Sequence, residues 1–141
     1  MSLTLANVDV VYSGVIQVLR STNIEVREGQ MVVLLGANGA GKSTTLKAIS
    51  SLLYSDLGMV TAGRITFKGR DITNADPSDV VQAGIVQVLE GRRVLEHLTV
   101  LQNLMVGAHL RTDRAGVKDD LDKVFQYFPA LPKLLNRTAG Y

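Results

Sequence analysis

The sequence predicts an α/β fold, and three observations carry that prediction. Short β-rich runs dominate the first ninety residues. One glycine-rich turn with a lysine, "GANGAGKST" (Gly36 to Thr44), stands between the apolar run "MVVLL" and the helix-like "TLKAIS". Beyond Glu90 the apolar residues take up helical spacing.

"LTLANVDVVY" (Leu3 to Tyr12), "VIQVLR" and "NIEVREG" alternate or cluster β-branched residues, with Gly14 and Ser21–Thr22 as breaks, and read as strands. "EGQMVVLLG" is a continuous apolar run, which predicts a strand buried on both faces. "STTLKAISSLL" (Ser43 to Leu53) sets Leu46, Ile49 and Leu53 on one helical face. A loose glycine-containing stretch follows, and "GRITFKGRDI" returns to strand with Gly69 at its turn. Asp76-Pro77 starts a short helix that Gly84 ends, and "IVQVL" (Ile85 to Leu89) reads as one more strand. Thr99 is an N-cap candidate for "VLQNLMVGAHL", and "DRAGVKDDLDKVFQYF" is a helix broken by Pro129 and Pro132.

Composition narrows the function. At 141 residues and 46% hydrophobic, the chain is long enough for a globular core. Its 15 Lys+Arg against 13 Asp+Glu give a net charge of +2 with the basic residues scattered, so the charge footprint of a nucleic-acid binder is absent. There is no Cys, hence no disulfide framework and no thiolate metal site. No apolar run reaches the roughly 18 residues of a spanning helix, and the start lacks the pattern of a secretory signal. A soluble cytosolic chain is the expectation.

Gly36, Gly41, Lys42 and Ser43 satisfy G-x-x-x-x-G-K-[ST], the P-loop pattern. A triphosphate needs many hydrogen-bond donors converging on one volume. Successive backbone N–H groups of Gly36, Ala37, Asn38, Gly39, Ala40 and Gly41 supply them only where glycine permits unusual backbone angles. A helix starting near Lys42 aims its own N–H groups and positive dipole end at the same anion, reaching Ser43 and Thr44. Lys42 adds a mobile cation for the β- and γ-phosphates, and the Ser43 hydroxyl is a hard oxygen ligand for Mg²⁺. The order "GANGAG" is not G-x-G-x-x-G, so a dinucleotide fold is not supported.

The neighbours of the motif are "VVYSGVIQVL", "VREGQMVVLLGANGAGKSTTLKAISSLL", "GRITFKGRDIT" and "GIVQVLEGRRVLEHLTVLQNL". With them the chain resembles the ATP-binding subunits of ABC transporters, and among these the branched-chain amino acid importers. The resemblance implies a P-loop NTPase of the ABC type, present in part. A nucleotide-binding core with an antiparallel β subdomain spans 1–89, and a hinge with the start of a helical subdomain spans 90–141. It implies that Tyr12 stacks on adenine. It also puts Glu90 where most members have a hinge glutamine that touches Mg²⁺ or the attacking water, giving Glu90 a catalytic and metal-sensing place beside Lys42 and Ser43, with Gln87 as a substitute. Leu89 departs from the proline frequent there. Arg92, Arg93, His97 and His109 are most simply surface or helix-face residues.

The family further uses an "LSGGQ"-like signature loop, a strand ending in Asp-Glu and a later switch histidine; none occurs in this sequence. The resemblance therefore implies roughly the first half of a larger protein. In the complete subunit it implies ATP and Mg²⁺ as ligands, hydrolysis that powers import of branched-chain amino acids or a similar substrate, a second ATPase subunit, membrane permease subunits, and a place on the cytoplasmic face of the membrane. The chain alone is expected to be inactive. The alternatives are another P-loop NTPase, such as a nucleotide kinase, and a non-catalytic nucleotide-binding module.

Overall fold

The computed structural model describes residues 3–91 and 93–140. Four strands form one antiparallel sheet in the order β2-β1-β3-β4: β1 (Leu3–Tyr12), β2 (Ile16–Val26), β3 (Gly58–Phe67) and β4 (Arg70–Asp71). Helix α1 (Lys42–Ile49) joins β2 to β3, α2 (Pro77–Gln82) follows β4, and α3 (Val100–Val106) and α4 (Arg114–Tyr127) come last. The chain divides into two compact units, Met1–Val88 and Leu89–Tyr141.

In the first unit the core is set by a flaw in the alternation of β1. Leu5, Val8 and Val10 are all buried, although a strict period of two from Leu5 would turn Asn7 and Asp9 inward. A bulge at Asn7 (φ 50) inserts one residue and returns the valines to the inner face. The displaced polar groups are satisfied on the outer side. Asn7 N–H donates to Asn23 Oδ1 (2.9 Å), Asn23 Nδ2 donates to Asn7 Oδ1 (3.1 Å), and Ser21 N–H donates to Asp9 Oδ1 (2.6 Å). Gly63 faces the bulge at φ 81, where a Cβ would stand 2.2 Å from the Asn7 carbonyl oxygen, so no other residue fits. Leu19, Val60, Ile65 and Ile72 complete the sheet side of the core, with Ala48, Leu53 and Val80 from the helical side. Each large apolar side chain so buried contributes roughly 1.5–3 kcal/mol.

The two helices of this unit end alike. After α2, Gly84 (φ 105) takes the left-handed position, Ile85 N–H donates to Val80 O (3.2 Å) and Gly84 N–H to Val81 O (3.0 Å). After α1, Ser51 (φ 57) takes that position, with Leu52 N–H donating to Lys47 O (2.8 Å). Helix α1 is therefore shorter than the periodicity of 43–53 predicts, because Ser50 caps it and a single 3-10 turn, Tyr54–Asp56, follows. The stretch expected to be loose is already β3 from Gly58 onward.

Two expected strands are absent. Met31 to Leu35 and Ile85 to Leu89 carry no ladder hydrogen bonds among the described residues. Far from being buried on both faces, Met31 is 90% and Leu35 88% exposed, and Val88 is 93% exposed. The apolar composition is that of a strand, but a strand exists only through a hydrogen-bonded neighbour.

The second unit has no fully buried residue among those described, and its order rests on caps and ion pairs. Thr99 Oγ1 accepts from Gln102 N–H (3.1 Å) while Gln102 Oε1 accepts from Thr99 N–H (2.8 Å), a reciprocal cap of α3. Asn103 accepts from Leu95 N–H (2.8 Å) and donates to the Thr99 carbonyl (3.0 Å), holding the entry to that helix. Pro132 does not break a helix but sits in a 3-10 turn, Leu131–Lys133. Arg111 bridges Asp113 and Asp120 at 2.5 Å each, and Lys123 reaches Asp120 at 2.9 Å. The bonds from Lys123 and then Arg111 pull Asp120 down to about 2, and Arg111 holds Asp113 below the usual range.

Two outcomes test these arguments. Ser51→Gly relieves a left-handed serine and removes a buried hydroxyl that has no partner; it is expected to stabilise the chain by about 1 kcal/mol, read as a higher urea midpoint. An unchanged or lower midpoint would contradict it. Both carboxyls of the α4 network have folded values below their unfolded ones, so their contribution is present above about pH 4 and is lost as pH falls towards about 2. Arg111→Ala should move the NMR titration midpoint of Asp113 up into the ordinary carboxylate range, and that of Asp120 only part of the way, because Lys123 stays.

Candidate nucleotide site

Residues 36–40 form an exposed loop that turns into α1 at Gly41. Gly39 (φ 84) and Gly41 (φ 85) both hold left-handed angles. A side chain at Gly36 would meet Ala40 Cβ at 3.0 Å, so the loop closes on itself. Gly41 is the N-cap of α1 with no side-chain cap, and there is no acidic residue in the first turn. Thr45 N–H is the first to close an intrahelical bond, to Gly41 O at 2.8 Å. The N–H groups ahead of it lie at the positive end of the helix, the arrangement that receives an anion.

Lys42 Nζ donates to the carbonyls of Gly36 (2.8 Å) and Ala37 (2.7 Å), and Ala40 N–H donates to Ala37 O (3.2 Å). The ammonium therefore lies over the loop whose N–H groups it complements. The hydroxyl of buried Thr45 also donates to Gly41 O, at 2.9 Å, fixing the turn from the core side. Ser43 and the loop residues Ala37, Asn38, Gly39 and Ala40 are exposed.

Tyr12 ends β1 with its hydroxyl 3.4 Å from Thr44 Oγ1, so the structure brings the predicted stacking ring to the first turn of the predicted phosphate helix. Glu90 is placed in the second unit with an exposed side chain, and its carbonyl accepts from Arg93 Nε at 3.2 Å. Gln87 is engaged elsewhere: its Oε1 accepts from Ser50 Oγ at the C-terminal cap of α1. His109 Nδ1 lies 2.8 Å from the Val106 carbonyl, and no cluster of three or more metal-ligating side chains exists among the described residues. Arg92 lies outside the described residues.

Sequence reading missed the partners that position these groups. A Cβ on Gly41 would stand 2.6 Å from Leu19 Cδ2 and 3.7 Å from Val18 Cγ1, so β2 backs the loop directly. Gly58 of β3 pairs with Tyr12 across the sheet. Both contacts depend on strand register, which local pattern does not state.

The family model described as "ABC transporter" matches residues 19–139. The chain belongs to the ABC transporter family. As a family member it is similar to the high-affinity branched-chain amino acid transport ATP-binding protein BraG of Pseudomonas aeruginosa, 36% identical over 129 residues, covering 92% of this chain and 53% of that protein. It is also similar to the probable branched-chain amino acid transport ATP-binding protein LivF of Archaeoglobus fulgidus, 30% identical over 125 residues, covering 89% and 50% respectively. Among solved structures it superimposes on an ATP-binding cassette of an ABC transporter in its ADP conformation, with TM-score 0.72 and 29% identity, covering 99% of this chain and 57% of that one. The chain thus spans about half the length of the curated relatives it matches. No helix among the described residues is long and apolar enough to cross a membrane.

The loop geometry makes one outcome specific to Gly41. Gly41→Ala adds a methyl where Leu19 already stands, at a φ of 85 that alanine resists. It is expected to weaken nucleotide binding at least about tenfold and lower the unfolding midpoint together, whereas Gly39→Ala, with open space around it, should retain the larger share of both. Equal effects at the two positions, in calorimetric titration and urea unfolding, would contradict the packing argument.

Proposed function

We propose that the chain binds Mg-ATP, with Gly36 to Thr44 around the phosphates and Tyr12 stacked on the adenine. The observation that carries this reading is the convergence of the exposed glycine loop, the uncapped start of α1 and the Lys42 ammonium on one volume, with Tyr12 beside Thr44. Lys42 in the free protein makes two bonds to neutral carbonyls. A phosphate oxygen offers it a charged acceptor in place of a neutral one, so Coulomb attraction adds to the hydrogen bond and the lysine transfers from loop to ligand without leaving the site. The first-turn N–H groups then hold the phosphates by dipole and hydrogen bond, and Tyr12 orients the base.

The Mg²⁺ fits this donor set in the way usual for the ion. It would be held by one or two protein oxygens and otherwise by phosphate and water; the exposed Ser43 hydroxyl would supply one. Bound there, the ion would supply charge neutralisation to the phosphate groups. In the complete subunit this reading continues to hydrolysis coupled to import of branched-chain amino acids, as the names of BraG and LivF suggest, with a paired ATPase subunit and permease subunits. The chain by itself carries no strand ending in Asp-Glu to position a general base, so it is proposed to bind nucleotide without turning it over.

Lys42→Ala is expected to weaken binding of a fluorescent ATP analogue severely, by at least about tenfold, with the circular dichroism spectrum unchanged. Unchanged affinity would remove the assignment. Phosphate release by the intact chain with excess Mg-ATP should stay at background; turnover that disappears in Lys42→Ala would show a complete catalytic apparatus. Tyr12→Ala should cost about 1 to 3 kcal/mol of affinity and Tyr12→Phe little, since the ring and not the hydroxyl stacks.

A further inference from the structure

We propose that Gly58 is a positioning residue for nucleobase recognition: it is glycine so that the Tyr12 ring can lie where it stacks, a role that rests on the nucleotide reading above. Gly58 opens β3 and is the register partner of Tyr12. A Cβ there would stand 2.7 Å from Tyr12 Cε1, 2.9 Å from Cδ1 and 3.2 Å from Cζ, inside the distance at which real contacts occur. The backbone at Gly58 does not itself call for glycine, because its φ lies outside the left-handed region that Gly63, Gly39 and Gly41 occupy. The three atoms nearest to such a Cβ all belong to the Tyr12 ring.

The backing is hydrogen-bonded to a core residue. Gly58 N–H donates to the Leu53 carbonyl at 2.9 Å, the same carbonyl accepts from Asp56 N–H at 3.0 Å, and Leu53 is buried in the core. The hairpin that carries Tyr12 is tied to the same place, since Ser13 N–H donates to Leu57 O at 2.8 Å. At its other end the ring's hydroxyl reaches Thr44. One continuous path therefore runs from the first turn of α1 at Thr44, through the helix and the turn that follows it to Leu53, to Gly58, to Tyr12 and back to Thr44. The base platform and the phosphate loop are both set by α1, and residue 58 is the point where the platform is held from behind. A methyl at residue 58 displaces the ring while leaving the phosphate loop, which Leu19 and Val18 back, untouched.

Calorimetric titration of the chain with ATP and with inorganic tripolyphosphate separates the two halves of the site. Gly58→Ala is expected to weaken ATP by roughly fivefold or more, the lower end of base–aromatic stacking, and to leave tripolyphosphate within about twofold of wild type. The Tyr12→Ala background removes all three of these nearest atoms, so adding Gly58→Ala should leave ATP affinity where Tyr12→Ala put it. Wild-type ATP affinity in Gly58→Ala, an equal loss of ATP and tripolyphosphate, or a further loss in the Tyr12→Ala background would each overturn the proposal while leaving stacking itself in place. Undiminished ATP affinity in Tyr12→Ala alone would instead remove the stacking reading, and this proposal with it.

Discussion

The joint at Gly41 is the contact on which the rest of the first unit depends. Its carbonyl takes two bonds from Thr45, one from the backbone and one from the buried hydroxyl, and its Cα lies against Leu19 of the core. Through that joint the apolar packing of the sheet sets where α1 begins. Where α1 begins decides in turn where the Lys42 ammonium, the first-turn N–H groups and Thr44 stand. A loop of five exposed residues would be conformationally broad without such an anchor, and the entropy of ordering it would fall on the ligand. Here the internal bonds of Lys42 and Ala40 have already ordered it.

The two units reach stability by different means. In the first, ten buried apolar side chains among the described residues gather around a bulged sheet, and each polar consequence of the bulge is met by an asparagine, an aspartate or a glycine in a fixed place. In the second, the helices keep their apolar faces partly in solvent, with Tyr127 and Phe128 well exposed, and their order comes from a capping box, the Asn103 bonds and an exposed charge network. Exposed ion pairs are screened by salt, so the charge network of the second unit weakens as ionic strength rises. The apolar runs at 31–35 and 85–89 belong to the same contrast. They pair with no strand among the described residues and leave apolar side chains exposed, and an exposed apolar run of that kind invites association.

Local chemistry alone determined a good part of this protein. The hairpin strand Leu3–Tyr12 follows from alternation ended by a turn at Ser13 and Gly14. The start of α2 follows from Asp76-Pro77, whose carboxylate accepts from Ser78 N–H at 2.8 Å, and the start of α3 follows from Thr99. The turn of the glycine loop into α1 was legible for the same reason: glycine spacing, a lysine and a hydroxyl within nine residues are a local specification of backbone angles and charge. Only the tertiary structure decided the rest. It showed that "MVVLL" and "IVQVL" are not strands here, because pairing needs a neighbour that residue pattern cannot supply. It showed that β1 carries a bulge, which shifts Val8 and Val10 to the face where alternation from Leu5 would place Asn7 and Asp9. It also placed Gly58 behind Tyr12 and Leu19 behind Gly41. These contacts join residues more than twenty positions apart, and their geometry is fixed by strand register and core packing, which no short stretch of sequence contains.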